Sequence, residues 1–90
     1  MSNAVTKRLT SKQRMNLFVK LYRALFEGRL YCYFHVGGRV ELVGIKRDTL
    51  LVCWQCYNHY ELRSFVYTTF SKIMLERQDG TFATLYEVKS

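Results

Sequence analysis

The sequence predicts an α+β domain: an N-terminal helix followed by a five- to six-stranded, strongly bent antiparallel sheet or a small barrel. Three observations carry that prediction. Apolar residues recur at helical spacing over residues 11–27, and from Leu30 onward the period changes to two. Turn residues then punctuate the chain roughly every ten residues. Ninety residues make one domain, because so short a chain cannot divide into two useful cores.

Residues 1–10 are read as a flexible basic arm and residues 11–90 as a helix-plus-barrel domain. Ser11 is the expected helix cap, with Thr10 competing for the role, and Gly28 is expected to end the helix in the left-handed conformation. At about 100° per residue, Met15, Phe18, Val19, Tyr22, Leu25 and Phe26 share an apolar arc. Lys12, Asn16, Lys20, Arg23 and Glu27 fall opposite. Leu17 and Leu21 widen the arc beyond what packing on a small barrel requires, which implies deep packing or a partner surface.

The strands follow in order. Residues 30–36 alternate Leu30, Cys32, Phe34 and Val36 against Tyr31, Tyr33 and His35, and Gly37-Gly38 signals a hairpin. Residues 39–47 form the second strand, with Val40 and Leu42 facing opposite to Val43 and Ile45, and Gly44 marks a bulge or bend. After the Arg47-Asp48 turn, residues 49–57 are almost continuously apolar, as in a strand covered on both faces. Asn58-His59 turns the chain into 60–68 and 70–76, and Gln78-Asp79-Gly80 leads into 81–87.

Charge is unevenly distributed. The first 29 residues hold Lys7, Arg8, Lys12, Arg14, Lys20, Arg23 and Arg29 against one acid, Glu27, while the other 61 are nearly neutral. Cationic charge gathered on an arm and helix is an electrostatic footprint for a polyanion or an acidic protein. No apolar run is long enough to span a membrane. Three cysteines, an odd number, argue against a disulfide framework and for a cytoplasmic setting.

A helix feeding a bent five-strand meander is the order of Sm- and SH3-like barrels. Within that group the chain resembles a WYL-type domain, a ligand-sensing module often fused to bacterial transcription regulators, over residues 20–76. The matching pieces are Ala24-Leu25-Phe26-Glu27-Gly28-Arg29 running into Tyr33, then Val40-Glu41-Leu42-Val43-Gly44-Ile45, then Leu62-Arg63-Ser64-Phe65. The resemblance implies an SH3-like barrel, and Arg63 is the one residue that carries over to the family's pattern. The family's second arginine, which helps form its basic pocket, is replaced here by Thr69 and the isoleucine after it by Phe70, and the namesake Trp-Tyr-Leu by Leu50-Leu51-Val52 or Val52-Cys53-Trp54.

Chemistry-bearing residues are few. Cys53-x-x-Cys56-x-x-His59 has zinc-ligand types, but residues i and i+3 of a strand point to opposite faces, so no metal site is expected there. Neither histidine has a paired nucleophile, and no glycine-rich loop opens a helix, so no enzyme and no cofactor are expected. The strand tyrosines, including Tyr60, alternate with Arg39, Arg63 and Lys72 and could stack single-stranded bases.

The expected function is a regulatory or interaction module gripping an anionic partner, nucleic acid first, through Lys7, Arg8, Lys12, Lys20 and Arg23, with Arg63 and Tyr60 contributing. The alternative is a small inhibitor or adaptor of the phage type that docks on an acidic, partly apolar protein surface. Self-association through an edge strand or the helix margin is a third expectation.

Overall fold

The computed structural model describes residues 8–88. Helix α1 (Ser11–Ala24) is followed by β1 (Gly28–Phe34), β2 (Arg39–Lys46), β3 (Thr49–Cys56), β4 (His59–Val66), a 3-10 turn at Tyr67–Thr69, β5 (Phe70–Arg77) and β6 (Phe82–Glu87). All pairings are antiparallel, in the order β4-β3-β2-β1-β5-β6. This is the α+β architecture the sequence predicts, with six strands in an open sheet rather than a closed barrel. No helix among the described residues is long and apolar enough to cross a membrane.

Thr10, not Ser11, caps α1: its Oγ1 accepts from the Gln13 N–H at 3.1 Å, and Gln13 Oε1 accepts from the Thr10 N–H at 2.9 Å. This reciprocal box satisfies two helix-end donors. Just before it, the Leu9 N–H donates to the Tyr67 hydroxyl at 3.1 Å, so Leu9 and Thr10 are tied to the domain rather than to a free arm. The helix ends at Ala24, three residues short of the expected 27.

Gly28 does not provide a left-handed cap; it opens β1 opposite Arg77. Its requirement is close approach, since a Cβ there would overlap the Glu76 carbonyl oxygen and crowd the Arg77 Cα. Backbone atoms in a paired strand cannot step aside cheaply. Gly28→Ala is therefore expected to cost about 1–3 kcal/mol, read as a lowered midpoint in thermal melting.

Gly37 and Gly38, both at positive φ, close the β1–β2 hairpin. The β2–β3 register shifts between Leu42 and Gly44, placing a bulge where the sequence marks one. Because the bulge adds a residue, Ile45 packs with Val40 and Leu42 against the core while Val43 is exposed, so the expected opposition of Ile45 to Leu42 is corrected. Val36 lies in the turn and is exposed rather than continuing the inner face of β1.

The inner face of the sheet carries the core: Leu30, Cys32, Leu42, Leu50, Val52, Phe70, Ile73 and Leu75, closed over by Leu17, Leu21 and Ala24 of α1. Burial pushes the Cys32 thiol up to about 12, as for a small apolar residue without chemistry. The sheet is strongly bent. Phe65 of β4 lies 5.9 Å from Phe34 of β1 between ring centroids, although two strands intervene; in a flat sheet those strands would be about 14 Å apart. None of the outer-face side chains is buried. Strand β3 is accordingly buried on one face and half-covered on the other, not enclosed on both.

Candidate binding surface on the N-terminal helix

Helix α1 is apolar on two sides. Leu17, Leu21 and Ala24, spaced i, i+4 and i+7, turn into the core. The apolar arc read from the sequence points mostly the other way: Met15 is 66% exposed, Val19 45%, Tyr22 47% and Phe26 89%. Phe18 and Leu25 pack against the core margin. The residues expected to bury the helix therefore form an exposed ridge. This is a correction with a physical cause: the compact Leu17-Leu21-Ala24 row seats on the core, which leaves the opposite side of the helix to solvent.

The ridge borders a shallow groove lined by Ser11, Arg14, Met15, Phe18, Val19, Tyr22 and Asp48, between the helix and the β2–β3 turn. The Tyr22 hydroxyl donates to the Ile45 carbonyl at 3.4 Å, and the Phe18 ring meets Tyr67 edge-on at 6.3 Å. One wall is thus fixed in place.

Lys12, Lys20 and Arg23 flank the ridge at about 60–140° from Met15 around the helix. All three are exposed. Among the described residues, both ion pairs within 4 Å involve Glu61, with His59 or Arg63; the three helix cations make none. Lys12 also sits in a first turn that holds no acid, where the helix dipole favours negative charge. Arg8 is exposed just before the helix, and Lys7 lies outside the described residues.

Arg63 and Tyr60 are elsewhere, on edge strand β4. Arg63 is satisfied within the chain: Nη2 approaches Glu61 Oε1 at 2.6 Å, and the guanidinium lies 4.6 Å over the Trp54 ring. In return, Arg63 and then the Cys56 thiol hold Glu61 below the usual carboxylate range. Tyr60 points to the outer face, its Cα opposite Gln55. On that face Arg39 lies 4.2 Å over Tyr31 and Lys72 lies 4.8 Å over Tyr33, and Glu87 is paired with Lys72 in the ladder. Cations and rings there are already engaged with one another.

The sequence correctly separates Cys53 from Cys56: Cys53 pairs with Leu62 on the outer face and Cys56 with His59 on the inner. It misses that Cys56, His59 and Glu61 share that inner face, with ligand-type atoms all within 4.8 Å of one another. Comparison with family models, curated proteins and solved structures found no match.

Proposed function

We propose that this protein is a non-enzymatic docking module whose helix α1 binds a protein surface combining an apolar strip with a rim of carboxylates. The observation that carries the reading is the exposed Met15-Val19-Tyr22-Phe26 ridge lying beside Lys12, Lys20 and Arg23, which make no ion pair among the described residues. Residues at i, i+4 and i+7 form the anchor row of a helix seated in a groove, and Phe26 continues it in the turn just past the helix end. Adjacent cations steer approach to an acidic rim and reject basic surfaces.

Nucleic acid is the weaker reading. Phosphates would satisfy the cations but leave the ridge of Met15, Val19 and Phe26 in water, and the outer-face cations already lie over their own tyrosines. An inhibitor or adaptor acting on a larger assembly is the role that suits such a module.

The test is capture from nuclease-treated lysate with three proteins: wild type, Val19→Asp, and Lys12→Glu/Lys20→Glu/Arg23→Glu. One stoichiometric protein held by wild type and lost by both variants supports the reading, provided neutralising that protein's own acidic rim weakens purified binding at least about tenfold. Capture that disappears with nuclease, or that Val19→Asp leaves intact, overturns it. Oligonucleotide binding at about 50 mM salt with a log–log slope of about 0.7–0.9 per contact would install nucleic acid instead.

A further inference from the structure

We propose that Cys56, His59 and Glu61 form a zinc-class divalent metal site at the tip of the β3–β4 hairpin. The turn residues Tyr57 and Asn58 make Cys56 and His59 directly opposed partners, and Glu61 follows two residues along the same face. A thiolate, an imidazole and a carboxylate are ligand types that select zinc over magnesium or calcium. The set carries two negative charges when the thiol is deprotonated, which matches a dication.

The geometry is close to that of a bound site. The three ligand atoms lie within 4.8 Å of one another, and His59 Nε2 is 3.9 Å from Glu61 Oε2. Around tetrahedral zinc, with bonds of about 2.0–2.3 Å, such atoms sit about 3.3–3.8 Å apart. A closure of about 1 Å is needed; His59 and Glu61 are exposed, and Glu61 must first leave Arg63. The fourth position would go to water.

A cation already occupies this place. Arg63 Nε and Nη2 both reach Glu61 Oε1, and Nη2 lies 3.9 Å from Cys56 Sγ. Two of the three ligands therefore converge on positive charge before any metal arrives. Metal would displace the guanidinium from Glu61 and leave it over Trp54, where it already lies. Binding releases the Cys56 thiol proton to solvent, so affinity falls as pH falls.

Cobalt(II) titration of the full chain under a non-thiol reductant tests the site. Expected is one cobalt per chain, with a thiolate-to-cobalt charge-transfer band that zinc bleaches. Cys56→Ser should abolish the band, while Cys53→Ser, on the opposite face, should retain it. His59→Gln and Glu61→Gln should each weaken binding at least about tenfold, the loss that follows removal of even an outer-shell partner. Arg63→Met should tighten it, because the competing cation is gone. No band in wild type, a band surviving Cys56→Ser, loss in Cys53→Ser, or weaker binding by Arg63→Met overturns the site. The Cys53 and Arg63 variants leave the ligands untouched, so the result stands even where Cys56→Ser fails to fold.

Discussion

Leu21→Ala is expected to lower the free energy of unfolding by about 2–5 kcal/mol, whereas Met15→Ala and Val19→Ala should each change it by less than about 0.5 kcal/mol. Leu21 has no exposed surface and sits in the middle of the Leu17-Leu21-Ala24 row. Truncating it removes apolar contact and leaves a cavity between helix and sheet. Met15 and Val19 lose little on truncation because they are already 66% and 45% exposed, and alanine is the better helix former. Urea denaturation with an unchanged slope reads both effects directly. In a domain whose total stability is about 5–15 kcal/mol, the Leu21 cost is large. Destabilisation by Met15→Ala and Val19→Ala equal to that of Leu21→Ala would mean that the helix buries its other side, and the docking ridge would not exist.

This contrast shows where the sequence is legible. Strand positions follow from alternation and turn chemistry, so β1, β5 and β6 fall within two residues of expectation, and Gly44 marks its bulge correctly. The helix is different. Periodicity locates apolar residues around an axis without saying which side meets the core, and α1 has two apolar sides. The broader arc looks like the core face, yet the sheet accepts the narrower one with its compact side chains. A leucine-leucine-alanine row opposite methionine, tyrosine and phenylalanine was the available clue.

The hairpin tip was obscured by one residue. Asn58-His59 is the natural turn on propensity, but the turn falls on Tyr57-Asn58, with Tyr57 at φ 43°. A tyrosine in the left-handed region is uncommon and cannot be anticipated from composition. Moving the turn by one residue shifts the β3–β4 pairing by two, which keeps each side chain on its face but changes its partner. With the expected turn Cys56 would oppose Glu61 and His59 would lie in the turn; with the true one His59 enters β4 directly opposite Cys56, and Glu61 follows two residues on. Arg63 illustrates the complementary limit, since its charge looks available in sequence and is consumed by a neighbour two residues away.

Phe70→Ala is expected to cost about 3–5 kcal/mol, and its effect should concentrate in β4. Phe70 is fully buried at the start of β5, with ring centroids 5.1 Å from Phe34 and 5.7 Å from Phe65. Those rings continue to Trp54, which lies 6.0 Å from Phe34 and 5.9 Å from Phe65. The four aromatics hold the bend, because β4 has only β3 as a hydrogen-bonded neighbour and sends only Phe65 into the core margin. Deleting Phe70 removes the support under Phe65, so β4 amides should lose hydrogen-exchange protection before those of β1 or β5. Trp54 fluorescence should shift toward that of a solvated indole as its aromatic neighbours separate. Uniform loss of protection across all six strands would show instead that the sheet opens as one cooperative unit, with the bend carried by its backbone rather than by these rings.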